Sequence, residues 1–231
     1  SPSFPERCLA VIIPVYNEAA TVDRVISKVL EQPQVAEVIV VDDGSTDATT
    51  VKLEALLAGN DRLRLVRHEI NRGKGAALRT AIIQVNAPIT IIQDADLEYD
   101  PAEYDALLQP VLTGRADAVF GSRFIGGQAH RVLYFWHMAG NRILTLLSNM
   151  KTNLNLTDME CGHKAFRSEK LKAMQLRESG FGIEPEFAAQ AARMGLRVYE
   201  VGVSYSGRTY AEGKKITWRD GIGALRSIFR A

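Results

Sequence analysis

Five short runs of almost uniformly apolar residues, each ending abruptly in polar or acidic residues, constrain this chain more than any other feature. Leu9 to Ile13 ends at Pro14, Glu37 to Val41 at Asp42 and Asp43, Leu63 to Val66 before Asn71, Ile89 to Ile92 before Asp94, and Ala116 to Phe120 at Gly121. A strand with one wet face alternates apolar and polar residues; runs without alternation suit strands covered on both faces by helices, as in a mostly parallel sheet. Between them, Val22, Val25, Ile26, Val29 and Leu30 recur at helical spacing within Thr21 to Leu30, Ala76 to Val85 reads as helical, and Pro101 to Leu112 opens with proline at a first-turn position. This is the pattern of repeated βαβ units in an α/β fold, where ligands bind beyond the carboxyl ends of the strands. Asn17 and Glu18, Asp42 to Asp47, Asn71 to Gly75, Asp94 to Glu98, and Gly121 to Arg123 occupy those ends and are expected to converge on one site.

The second half reads differently. Arg131 to Met150 mixes Tyr134, Phe135 and Trp136 with arginines, Thr157 to Gly162 is loop-like, a helix is expected near Glu186 to Met194 and a strand near Val198 to Tyr205. With no internal repeat or Pro/Ser-rich linker, residues 1–231 are expected to form a single domain with a C-terminal elaboration. The chain has 28 basic and 27 acidic residues, so its net charge of +1 supplies no field to gather nucleic acid, and no nucleic-acid partner is expected. Cys8 and Cys161 are too few for a disulfide scaffold or a metal-ligand set, which suits a reducing cytosol. No run approaches a membrane span, and Ser1 to Arg7 lacks the apolar core of a secretory signal, so neither insertion nor export is expected.

Asp94, Asp96 and Glu98 stand at alternate positions directly after an apolar run. In an extended backbone they share a face, and three like charges on one face are tolerated when a hard divalent cation takes their oxygens and shares them with a diphosphate. The plainer alternative is a solvated acidic loop before the helix at Pro101. Asp42-Asp43-Gly44-Ser45-Thr46-Asp47 reads both as a helix N-cap with a tight turn and as a carboxylate for a ribose hydroxyl or base edge. Asn71-Arg72-Gly73-Lys74-Gly75 resembles a phosphate-cradling turn, but it is neither a Walker loop nor a dinucleotide fingerprint, and a purely structural role stays open.

Taken with Pro14-Val15-Tyr16-Asn17-Glu18, Gly121-Ser122-Arg123-Phe124, Arg208 and Gly213-Lys214-Lys215, these motifs make the whole chain resemble the family 2 glycosyltransferases of GT-A fold, a Rossmann-like, mostly parallel sheet flanked by helices. Within them it is similar to the polyprenyl-phosphate sugar transferases, such as dolichyl-phosphate mannose synthase. The resemblance implies a nucleotide-sugar donor of GDP-mannose or UDP-glucose type, held by residues 1–125 through Pro14, Tyr16, Glu18, Asp42, Gly44, Gly73, Lys74, Asp94, Ala95 and Asp96. It implies Mg²⁺ or Mn²⁺ on Asp94, Asp96 and Glu98, an acceptor-binding half over 126–231, and the cations Arg123, Arg131, Arg208 and Lys215 facing the acceptor phosphate and the leaving diphosphate. Asp94, Asp96 and Arg208 would be the catalytic residues. Glu98 departs from the mannose synthases, where that position is often Gln.

The implied reaction is an inverting transfer, divalent-metal dependent. A polyprenyl phosphate acceptor is already ionised and needs no base, whereas a sugar hydroxyl needs a carboxylate. Asp158 and Glu160 are the nearest candidates for such a base, while Glu184 and Glu186 suit the pocket wall or a helix start. His130, His137 and His163 form no ligand pattern. A saccharide or lipid hydroxyl acceptor, or a catalytically silent nucleotide-sugar-binding subunit, are the alternatives. Near the end, Arg208, Lys214, Lys215, Arg219, Arg226 and Arg230 outnumber Glu212 and Asp220, and Trp218, Ile222, Leu225 and Phe229 recur at helical spacing. That stripe and Arg131 to Met150 suit either an anionic membrane surface, at its cytoplasmic face, or core packing.

Overall fold

The apolar runs pair side by side in the computed structural model of the chain, which describes residues 7–126, 131–132, 134–209 and 218–230. Strands β1 (Leu9–Val15), β2 (Val35–Asp42), β3 (Leu63–Arg67), β4 (Ile89–Ile92), β5 (Ala118–Ser122), β6 (Lys164–Arg167) and β7 (Val198–Gly202) form one sheet in the order β3-β2-β1-β4-β6-β5-β7. All neighbours run parallel except β6, which lies antiparallel between β4 and β5. β1 continues past its expected end, with Pro14 level with Val41 and Val15 level with Asp42. β6 has no counterpart among the expected strands.

Successive residues of β1 feed two separate cores, which is why the run carries no polar alternation. Leu9, Val11, Ile13 and Val15 pack with Val22, Val25, Ile26 and Val29 of α1 (Val22–Leu30) and with Leu107, Leu108 and Val111 of α4 (Tyr104–Leu112). Ala10 and Ile12 face the other way, toward Ala77, Leu78 and Ala81 of α3 (Lys74–Ile82) and Phe187, Ala188 and Ala191 of α7 (Ile183–Arg193). The helix α2 (Thr49–Leu57) packs beside α1 and β3, and α6 (Ser168–Ala173) follows β6.

α5 (Phe135–Thr152) and α8 (Trp218–Arg230) pack on each other and on α7. Ala224, Ser227 and Ile228 form the buried face of α8, whereas Phe229 is 66% exposed. α5 turns Thr145 and Ser148 inward and leaves Phe135, Trp136, Ile143, Leu146 and Met150 exposed. Among the described residues no helix is long and apolar enough to cross a membrane.

Candidate functional site

A cavity of about 540 Å³ opens where the carboxyl ends of β1, β2, β4, β5 and β7 meet, a size suited to a small-molecule ligand. β1 contributes Pro14, Val15, Tyr16 and Glu18; the loop after β3 contributes Asn71, Gly73 and Lys74; β4 contributes Asp94, Ala95, Asp96 and Glu98. Arg123 follows β5, and Tyr205 and Arg208 follow β7. Because β6 runs antiparallel, its start rather than its end lies at this edge, and that brings in Glu160 and Gly162.

Residues 94–99 are a turn, not the extended segment the alternation suggests: Leu97 takes a left-handed φ of 62°. The buried Gln93 amide closes the turn by donating to the carbonyls of Asp94 (3.1 Å) and Tyr99 (3.3 Å), while its oxygen accepts from the Tyr104 hydroxyl at 2.9 Å. The Thr21 hydroxyl ties the turn to the start of α1 by donating to the Ala95 carbonyl at 2.7 Å. Asp94, Asp96 and Glu98 therefore line one cavity but aim differently. Asp94 pairs with Lys74 at 2.7 Å, and the Asp96 carboxylate accepts the Glu98 N–H at 3.1 Å. Glu98 accepts the Tyr205 hydroxyl at 2.9 Å and the Arg208 backbone N–H at 2.8 Å, so it anchors the segment after β7. No group of three metal-ligating side chains forms among the described residues, so the expected ligand trio is not preassembled.

Asp94 and Asp96 are the two carboxylates of this turn that could hold a divalent cation. Burial, then repulsion from Asp94 and Glu98, pushes the Asp96 carboxyl up to about 7, the condition of carboxylates crowded without a full countercharge. Two hard-oxygen ligands suffice for an Mg²⁺-type ion that takes its remaining oxygens from water and substrate phosphates.

The cations are held by carboxylates distant in sequence. The Arg208 guanidinium forks onto Glu18 at 3.0 and 3.1 Å and lies 3.5 Å from Asp96, while its buried Nε, 4.0 Å from Glu98, makes no hydrogen bond among the described residues. Burial would lower its pKa, but Glu18, Asp96 and Glu98 together hold it above the usual value. Arg123 forks onto Asp158, which is fully buried, at 2.6 and 2.7 Å. Lys74 sits between Asp94 and Glu184 (2.9 Å), and Glu184 also pairs with the buried Lys164. Burial alone would depress Lys74, but the two carboxylates outweigh it and keep it charged.

Several expected contacts fall elsewhere. Asp42 is fully buried, accepts the Ser45 N–H (2.9 Å) and the Thr50 hydroxyl (2.6 Å), and does not line the cavity. It closes the turn after β2 and ties it to α2 through Thr50, without capping the backbone of that helix. The next carboxylate, Asp43, takes the cavity position, holding the Gly73 N–H at 2.7 Å and His68 Nδ1 at 2.6 Å. Gly44 is likewise structural: its φ is +73° and a Cβ would lie 2.6 Å from the Ile70 carbonyl carbon. Arg131 is exposed and off the cavity wall, its guanidinium donating to the Gly207 carbonyl at 3.2 Å. Lys215 and His130 lie outside the described residues. His137 is in ring contact with Tyr134, and His163 is buried between Tyr99 and Tyr104, where burial drops its pKa to about 3.

Comparison with known proteins gives a match to the model of glycosyl transferase family 2 over residues 10–174. The chain belongs to that family. It is 31% identical over 198 residues to glycosyltransferase AglJ of Haloferax volcanii, covering 85% of this chain but 62% of AglJ, less than two thirds of that protein. It is 28% identical over 215 residues to the undecaprenyl-phosphate mannosyltransferase of Micrococcus luteus, covering 88% of this chain and 85% of the relative. The fold is GT-A: glucosyl-3-phosphoglycerate synthase of Mycobacterium tuberculosis, crystallised with Mn²⁺ and UDP, superposes with a TM-score of 0.74 over 97% of this chain and 79% of its own, at 23% identity. The family match ends before Glu184, Tyr205 and Arg208, which the sheet nevertheless brings to the same cavity. Asp43, Phe181 and Tyr205 had no place among the expected site residues, and Glu160 was expected only as a candidate base; for Asp43 the signal was present, one residue along the same motif.

Proposed function

We propose that this family 2 glycosyltransferase moves a hexose, with inversion, from a nucleotide-sugar donor to a polyprenyl phosphate. The carrying observation is the cavity itself, whose wall brings the acidic pair Asp94 and Asp96 together with the cations Lys74, Arg123 and Arg208. The undecaprenyl-phosphate acceptor in the name of the Micrococcus luteus relative supports the lipid assignment. Pro14, Tyr16, Asp43 and Gly73 frame the nucleotide end, with Glu18 and Asn71 beside them.

In the transfer, an ionised acceptor oxygen attacks the anomeric carbon, a new C–O bond forms, and the old C–O bond breaks with its electron pair passing to the departing diphosphate. No proton has to be removed from the acceptor. Lys74 and Arg208 neutralise the departing diphosphate, and Arg123 holds the acceptor phosphate in the fork geometry that suits it. Asp158 and Glu18 keep the two guanidiniums in place before substrate arrives. Asp94 and Asp96 would hold Mg²⁺ or Mn²⁺, which when bound supplies Lewis-acid stabilisation of the diphosphate charge.

The exposed apolar stripe of α5, with Phe229 of α8, supports a peripheral seat on an anionic membrane, where a polyprenyl acceptor resides. The two unbridged cysteines suit its reducing, cytoplasmic face. With radiolabelled donor and Mn²⁺, polyprenyl phosphate is expected to yield an acid-labile lipid-linked sugar, whereas simple saccharides yield none. Asp96→Asn should lower kcat/KM on the order of 10²- to 10³-fold with unchanged circular dichroism, the scale of losing one main stabiliser of transition-state charge. Label entering only a saccharide product, or near-normal turnover by Asp96→Asn, would sink the assignment.

A further inference from the structure

Seven carboxylates line the cavity, and six have the hydrogen bonds or ion pairs described above. Glu160 is the exception: among the described residues its carboxylate has no hydrogen bond or ion pair, and its Oε1 is shut off from solvent. An enclosed carboxylate oxygen without a partner costs folding free energy, and in a cavity wall a ligand can supply the missing donor. Two residues before it, Asp158 forks Arg123; two residues after it, Gly162 abuts Asp94 and Lys74, so closely that a Cβ there would collide with the Asp94 carboxylate and lie 3.3 Å from the lysine nitrogen. Glu160 thus lines the same cavity, on the stretch of chain between the residue that holds the acceptor cation and the residue that abuts the diphosphate groups. On the transferase reading, on which this inference rests, the sugar in transit occupies that cavity.

We propose that Glu160 determines sugar specificity, its carboxyl hydrogen-bonding hydroxyl groups of the transferred hexose. A phosphate placed there would meet a like charge. Hydroxyls are the donors such a group lacks, and neighbouring hydroxyls on a pyranose ring match the two oxygens of one carboxyl. Burial, then Glu184, pushes the Glu160 carboxyl up to about 7 against the pull of Lys164 and Arg123, so the group is able to accept from one hydroxyl and donate to another.

Calorimetric titration of wild type, Glu160→Gln and Glu160→Ala in Mn²⁺ with UDP, UDP-glucose, GDP and GDP-mannose separates the sugar contact from the nucleotide contact. For whichever nucleotide binds, Glu160→Ala is expected to change the affinity of the diphosphate less than twofold and to weaken the sugar nucleotide at least tenfold, with Glu160→Gln between. Deoxy analogues of the bound sugar, taken one hydroxyl at a time, should include one that is weak with wild type and insensitive to Glu160→Ala. Without ligand, both variants should unfold at the wild-type temperature or above it, because an unpartnered carboxylate is removed. An unchanged ratio of sugar-nucleotide to diphosphate affinity overturns the inference, as does a drop in unfolding temperature without that change, or an effect confined to the KM of the acceptor. If wild type binds no nucleotide sugar at all, the transferase reading itself falls and takes the inference with it.

Discussion

β1 and α5 are both rich in apolar residues, yet they spend them in opposite directions. Residues 9–13 of β1 are wholly buried, their side chains divided between the two faces of the sheet. In α5, Trp136 is 81% and Met150 74% exposed, while Thr145 and Ser148 are buried. The inner face of α5 packs Leu144 and Leu147 against the core beside polar residues that serve the loop that follows. The Thr145 hydroxyl accepts the Met159 N–H at 3.2 Å, and the Asn149 side chain both donates to the Leu156 carbonyl and accepts its N–H, at 2.7 and 3.1 Å. That loop carries Asp158, which in turn fixes Arg123 in the cavity wall. Periodicity shows that a segment has two faces; what each face meets decides which one turns inward.

The comparison breaks most readily at β1. Ile12→Ala, in the central region of the sheet, should cost about 3 kcal/mol, because the deleted atoms lose their burial and leave a cavity that neighbouring strands cannot fill. Urea unfolding measures it directly, and a cost near zero would mean that the sheet is not the rigid half of the contrast. Thr145→Val keeps the shape of the side chain but strands the buried Met159 N–H, and should cost about 1–2 kcal/mol. It should also lower kcat more than Ile12→Ala does when both are assayed well below their unfolding temperatures, since the loop it loosens holds Asp158. Equal catalytic effects would remove the link from α5 to Arg123.

The parallel strands and the line of strand ends were legible because burial on both faces leaves an uninterrupted apolar run, and because the ligand edge of such a sheet is fixed by chain direction. β6 was not legible for the same reason. Lys-Ala-Phe-Arg is short and begins with a lysine whose burial makes sense only beside Glu184, and its antiparallel course puts the residues before it, rather than after it, at the site. Within the acidic turn the residue types were readable but their directions were not, since the left-handed backbone at Leu97 cancels the alternation. Asp42 and Asp43 illustrate the same limit at single-residue scale: both carboxylates are present in the motif, and the hydrogen bonds of the turn select which one reaches the cavity. The ion pairs of Arg208 with Glu18 and of Arg123 with Asp158 span distances in sequence that no local pattern records.

The smallest expected effect on stability tests the outward face of α5. Trp136, Ile143, Leu146 and Met150 recur along one side of the helix and are exposed, so replacing the first three by serine removes little burial. Each change should alter unfolding free energy by no more than about 0.5 kcal/mol, the range of surface substitutions away from packed features. A contiguous exposed stripe of this kind marks a surface with a partner, and a bilayer interface receives Trp and aliphatic side chains while nearby arginines meet anionic headgroups. The triple variant should therefore keep its fold and its binding of the nucleotide sugar but lose sedimentation with vesicles that contain phosphatidylglycerol, and with it turnover of vesicle-embedded polyprenyl phosphate. A short-chain, water-soluble polyprenyl phosphate should restore that turnover, because it needs no bilayer. Vesicle binding equal to wild type would detach the stripe from the membrane, and a destabilisation of several kcal/mol would show that α5, like β1, covers its apolar side chains with protein.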